Sequence, residues 1–156
     1  MNFNNFALSV SRTLPPEVSN KFSLMGLKLI YQLNLQKVLF SSSNIKPSQV
    51  NLFGLDFPNK IGVAGGLDKN ADYFHVLGNL GFGFVEVGTI TMKPQSGNPK
   101  PRIHRFYNEK AIINSLGFNN AGAVVALKNI EKNKPSFKGV LLSLIHISEP
   151  TRLHGI

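Results

Sequence analysis

Between Pro16 and Phe40 apolar residues recur every three or four positions. Val18, Phe22, Met25, Leu29 and Leu33 make a stripe, and Leu24, Leu27, Ile30, Leu35, Val38 and Leu39 widen it. That period predicts helix. Pro15 and Pro16 suit its start and Glu17 its first turn, while Gly26 or Asn34 offers a place where the run splits into two short helices. Lys21, Lys28 and Lys37 interrupt the surface, and Phe3, Phe6 and Leu8 extend it. Two readings stand: a helical hairpin packed on the body, or a basic amphipathic layer in a membrane interface.

After a serine-containing linker at 41–47 the period shortens. Val50–Phe53 and Leu55–Phe57 around Gly54 predict a small hairpin, and Asn59–Ala64 a strand. Ala71–Gly78 reads as a short helix with Phe74 and Leu77 inward, and Phe84–Thr89 as a second strand. Thr91–Arg105, with Pro94, Pro99 and Pro101, predicts an extended irregular loop. Ala111–Asn120 runs from apolar residues into three asparagines. A helix over Ala121–Ile130 and a strand from Phe137 follow. Strand, helix, strand with glycine-rich turns at the strand C-termini is the grammar of an α/β fold, and in a barrel those ends form the active face.

Composition narrows the chemistry. The 156 residues contain no cysteine, which excludes a disulfide framework and thiolate metal sites. The four histidines show no metal-ligand spacing, so no metal is expected. A formal charge of +9 raises nucleic acid, an anionic substrate or an anionic membrane. The lysines are dispersed and no basic block interleaves with aromatics, which argues against nucleic acid. No apolar run reaches bilayer length, and the N-terminal residues lack the pattern of a signal peptide. A cytoplasmic location is expected, with surface attachment left open.

Three stretches carry candidate chemistry. Ile61–Asn70 stops an apolar run at paired glycines and turns into Asp68, Lys69 and Asn70. It reads either as a ligand cradle, where glycine lets backbone approach a flat ligand, or as a surface turn with a solvated ion pair. Lys93, Lys100, Arg102, His104 and Arg105 make the most basic patch, either a solvated loop or an anion contact. Asn114, Asn119 and Asn120 offer donors and acceptors to a planar polar ligand. Alternatively they cap the next helix, as Asn120 could.

Four motifs in order resemble the N-terminal part of the quinone-dependent, membrane-associated dihydroorotate dehydrogenases: Gly62–Lys69, Gly81–Thr89, Pro94–Arg102 and Asn114–Asn120. The resemblance runs from about Pro15 to Leu141. It implies a partial (β/α)8 TIM barrel preceded by an N-terminal helical membrane-associating layer, and oxidation of dihydroorotate to orotate with FMN and a membrane quinone in pyrimidine biosynthesis. Carried onto this sequence, Ala64, Gly65 and Thr89 contact FMN, with Gly66, Leu67 and Asp68 shaping the turn. Lys69 meets the substrate carboxylate. Asn114, Ser115, Leu116, Gly117 and Phe118 form the substrate segment, and Arg105 matches the arginine at the inner end of a quinone tunnel. The implied location is peripheral, on the cytoplasmic side of the inner membrane.

There are departures. Asn20 stands where the family often has histidine, and His104 where phenylalanine is usual. After Leu141 the expected Gly-x-Asn-x-Gly is replaced by Leu142-Ser143-Leu144-Ile145-His146. The serine that serves as base in the family is not reached, so no catalytic residue is assigned. The tail from about Leu142 resembles foreign sequence, with Ile145–Arg152 similar to a translated sequencing adapter. The expected organisation is 1–46 helical, 47–141 the first part of the FMN-binding barrel, and 142–156 non-native. Rival readings are the soluble fumarate- or NAD-linked class, or a truncated product with only a binding or structural role.

Overall fold

The computed structural model describes residues 9, 12–35 and 48–146. The predictions on Phe3, Phe6, Leu8, Val38, Leu39, the 41–47 linker and 147–156 lie outside the described residues. The chain divides into two compact units. One holds the described residues up to 35 together with 98–117, the other 48–97 and 118–146.

In the first unit helix α1 (Pro16–Gln32) follows Pro15, and Glu17 sits in its first turn. The helix runs through Gly26, around which a Cβ would find open space. It ends where Asn34 turns left-handed (φ 56°) and the Leu35 N–H reaches back to the Ile30 carbonyl. Of its apolar residues only Leu24 is buried; Val18, Phe22, Met25, Leu29 and Leu33 are exposed. The end of this unit's inserted segment is an antiparallel hairpin of two later strands, Ile103–Phe106 and Ala111–Asn114, paired from Ile103↔Asn114 to Phe106↔Ala111. The Ile103–Arg105 part of the expected irregular loop is therefore strand. The proline-rich residues before it stay irregular because proline lacks the ladder donor.

The second unit begins with the predicted hairpin, β1 (Val50–Leu52) and β2 (Leu55–Phe57), turned at Gly54. Its centre is a parallel sheet of β3 (Gly62–Val63), β4 (Phe84–Thr91) and a last strand, Val140–His146. The hairpin strands of the first unit are thus β5 and β6, and this last strand is β7. Helix α2 (Phe74–Gly78) connects β3 to β4, and helix α3 (Ala123–Asn133) precedes β7. All three strands are parallel and adjacent in sequence order, as in the opening of a barrel. Val85 and Val87 of β4 pack into a core with Phe74, Val76, Leu77 and Ala126.

β3 is shorter than the run Asn59–Ala64. Asn59 is a buried side chain that bridges two segments: it donates to the Gly81 carbonyl (2.7 Å) and accepts from the amides of Ile61 and Gly83. Gly83 must be glycine there, since a Cβ would lie 2.2 Å from the Asn59 carbonyl oxygen. β7 continues β4's ladder past Leu141, pairing Glu86↔Leu142 and Val87↔Ser143. Ladder bonds are made by backbone, and a largely apolar run of any origin satisfies them.

Candidate functional site

The C-terminal ends of β3 and β4 bring the predicted cradle residues of the second unit together. The Gly66 N–H donates to the Gly88 carbonyl (2.7 Å), and the Gly88 N–H donates to the Asp68 carbonyl (3.0 Å). These two bonds lock the 64–70 turn to the end of β4, where Thr89 follows, half-buried. Gly88 has a φ of 117°, and a Cβ on it would meet the Leu144 carbonyl oxygen at 2.6 Å, so no side chain fits. Ala64, Gly65 and Leu67 are exposed along the turn, and Gly66 (φ 101°) has open space beside it. The turn thus offers a bare backbone surface to a flat ligand.

Asp68 faces the other way. Its carboxylate is 1 % exposed and accepts the amide N–H groups of Asp72 (2.9 Å) and Tyr73 (2.8 Å). Burial pushes its pKa up, and the amide hydrogen bonds offset part of that rise. The predicted cofactor residue therefore acts on the turn from beneath. α2 begins only at Phe74, three residues later than the apolar period predicts. Burial likewise raises the Tyr73 hydroxyl, with Asp72 and Asp68 adding to the effect.

Lys69 is half-buried, and its ammonium donates to the Gly66 carbonyl at 2.5 Å, folded back over the turn. Asn70 is fixed as well. Its side-chain oxygen accepts the Ala121 N–H (2.8 Å), and its carbonyl accepts from Asn129 of α3 (2.9 Å), which also donates to Asp72 (3.0 Å). Both neighbours of Lys69 are pinned, and its ammonium carries three N–H donors in all.

The predicted substrate segment divides between the units. Asn114 to Gly117 belong to the first and Phe118 to the second. Asn114 closes β6 and is exposed. Ser115 and Leu116 are held by backbone: the Ser115 carbonyl accepts from the Asn98 amide side chain, and the Leu116 carbonyl from the Asn98 N–H. Gly117 packs against Asn98, where a Cβ would come within 2.8 Å. Phe118 is 51 % exposed. Asn120 does not cap α3. Its side chain joins Thr91 and the Gly122 N–H, and Gly122 occupies the cap position.

The basic stretch is not one anion patch. In the first unit Arg102, 6 % exposed, donates to Glu17 (2.5 Å) and to the carbonyls of Asn98 and Leu116. Lys100 meets the other Glu17 oxygen at 3.0 Å. Arg105 is half-buried and reaches the Leu14 carbonyl (3.4 Å). Sequence reasoning missed Asn59, Asn129 and Glu86, the last of which accepts the Gly65 N–H (3.1 Å). Only Glu86 left a signal, as a lone acid in an apolar strand.

The family model for dihydroorotate dehydrogenase matches residues 48–149. Among curated relatives, a dihydroorotate dehydrogenase (quinone) of Neisseria meningitidis is 48% identical over 128 residues, 82% of this chain and 36% of the relative. One from a Marinomonas species is 49% identical, over 86% of this chain and 38% of the relative. The chain thus spans little more than a third of the curated relatives it matches. The ligand-free crystal structure of the Eimeria tenella dihydroorotate dehydrogenase superposes with a TM-score of 0.70 at 36% identity, covering 88% of this chain and 38% of that one. The identity and the extent of these matches leave one assignment: the chain belongs to the dihydroorotate dehydrogenase family.

Proposed function

We propose that this chain supplies the first strands and one wall of the active site of an enzyme that oxidises (S)-dihydroorotate to orotate, with FMN as cofactor and a membrane quinone as final acceptor, in pyrimidine biosynthesis. The observation that carries the reading is the locked turn, in which Gly66, Gly88 and Asp68 hold exposed backbone and Lys69 at the C-terminal ends of adjacent parallel strands. Ala64, Gly65, Gly66, Leu67 and Thr89 fit one side of a flat cofactor, because nothing larger than a methyl group stands on Ala64–Gly66. FMN, when bound, supplies the hydride acceptor.

The chain's own groups bind and orient. The Lys69 ammonium neutralises the substrate carboxylate, a charge-assisted contact, while Asn114 hydrogen-bonds the ring and Ser115–Phe118 complete the segment. No group of the turn is suited to take a proton: Lys69 is cationic and the Asp68 carboxylate is turned inward. The general base is therefore supplied from beyond the residues that match the family's motifs.

The exposed row Val18, Phe22, Met25, Leu29 and Leu33 with Lys21 and Lys28 supports peripheral attachment of α1 at an anionic, cytoplasm-facing membrane surface, where quinone resides. Arg105 belongs to the inner end of the quinone path in this reading. Residues 1–46 are the membrane-associating region, 47–141 the first part of the barrel, and 142–156 a non-native tail; the source reading frame past Leu141 tests that boundary.

The purified chain given FMN, dihydroorotate and a short-chain quinone is expected to show no turnover. Residues 1–141 joined to the C-terminal two-thirds of the meningococcal relative are expected to oxidise dihydroorotate. In that fusion Lys69→Ala lowers kcat/KM by about a hundredfold or more, on the scale of removing one charge-stabilising donor. Turnover by the chain alone, or a flavin-loaded fusion that leaves dihydroorotate untouched, overturns the reading.

A further inference from the structure

β4 shows its residues alternately to the two faces of the parallel sheet. Val85 and Val87 are fully buried on one face. On the other, Phe84 covers Gly62, where a Cβ would sit 2.3 Å from its ring, and meets Phe57 edge-on at 5.8 Å. That layer is apolar. The next residue on the same face is Glu86, and its partner in register on β7 is Leu142. Such positions in a parallel barrel take branched apolar side chains, and an ion there is costly once the barrel closes over it. A carboxylate at this level calls for a polar task.

Its contact identifies the task. Glu86 Oε2 accepts the Gly65 N–H at 3.1 Å. The same carboxylate lies beside the Gly65 α-carbon, since a Cβ there would be 3.4 Å from Cδ and 3.5 Å from Oε2. The other tied amides of the turn, those of Gly66 and Gly88, bond to backbone carbonyls. The Ala64–Gly65 peptide is instead oriented by a side chain. In a planar trans peptide the N–H and C=O point in opposite directions. Holding the Gly65 N–H toward Glu86 therefore turns the Ala64 carbonyl away from it, out of the inward layer.

We propose that Glu86 is a positioning residue of the cofactor cradle, setting the Ala64–Gly65 peptide plane by accepting the Gly65 N–H so that the Ala64 carbonyl faces a planar, N–H-bearing ring. The cofactor half of this proposal rests on the function proposed above; the Gly65 half does not. Glutamine keeps an acceptor oxygen at the same reach without the charge, and alanine removes it.

The test uses ¹⁵N NMR of the whole chain as it stands, with Glu86→Gln and Glu86→Ala, first without ligand and then titrated with FMN to millimolar concentration. In Glu86→Ala the Gly65 amide is expected to exchange about tenfold faster, as loss of one hydrogen bond predicts, while the Gly66 and Gly88 amides keep their protection. The FMN dissociation constant read from shifts at Ala64, Gly65 and Thr89 is expected to rise about tenfold in Glu86→Ala and to stay within about threefold in Glu86→Gln. An unchanged Gly65 exchange rate in Glu86→Ala overturns the proposal, as does a Glu86→Gln variant as weak as Glu86→Ala. If the unsubstituted chain shows no FMN-induced shifts, the cofactor half of the proposal falls, while the fusion assay decides the proposed function separately. The Gly65 amide then still decides whether Glu86 holds the turn.

Discussion

Burial of the Asp68 carboxylate raises its pKa above the ordinary 3.8, and the Asp72 and Tyr73 amides only partly offset the lost hydration. A folded-state pKa above the unfolded one means that the group's contribution to stability is complete below 3.8 and declines as pH rises through the raised value. Two amide donors at this buried position need an acceptor. Asp68→Ala leaves both unpaired. It is expected to cost about 1–3 kcal/mol in urea denaturation at pH 7. The cost should grow as pH is lowered toward the ordinary carboxylate range. A penalty that shrinks in acid would contradict the burial argument.

Among the elements, α1 depends most visibly on one side chain. Glu17 joins it to the irregular segment leading into β5 through Arg102 and Lys100. Arg102 carries most of the effect, since its side chain is 7% exposed whereas that of Lys100 is 70% exposed and screened by water. The Arg102 hydrogen bond, followed by the Lys100 contact, holds the Glu17 carboxyl below its ordinary 4.5. The sign is opposite to that of Asp68: the stabilisation is complete above 4.5 and is lost as pH falls through the lowered value. Glu17→Gln is expected to cost about 1–2 kcal/mol at pH 7, with the difference vanishing in strong acid when thermal melts are compared. The helix was legible from its 3.6-residue period and its proline start. Glu17, however, read only as a favourable first-turn charge, because its partners lie 83 and 85 residues away along the chain.

At the scale of the molecule, parallel strands need both faces covered, and three strands in sequence order begin that enclosure without completing it. The second consequence is at α1, where Val18, Phe22, Met25, Leu29 and Leu33 remain exposed. An apolar row edged by lysines partitions into an anionic interface. The chain is expected to co-sediment with vesicles containing anionic lipid, and Phe22→Glu with Leu29→Glu should weaken that binding about tenfold or more, given the transfer cost of two large side chains. Equal sedimentation of the double variant would remove the membrane role from α1.

The one-dimensional order of residues determined the helices, the hairpin at Gly54, the parallel strand–helix–strand order and the glycine turn with Lys69 beside it, but not the β5–β6 hairpin. Each of these depends on local period, turn chemistry or motif spacing. Tertiary structure alone decided that Asp68 turns inward, that Asn120 ties Thr91 rather than capping α3, that Asn70 is held by Asn129, and that Glu86 meets Gly65. Hydrogen-bond partners of polar side chains are set by which segments the fold makes adjacent, often 20 to 60 residues apart. Neither composition nor period encodes that adjacency.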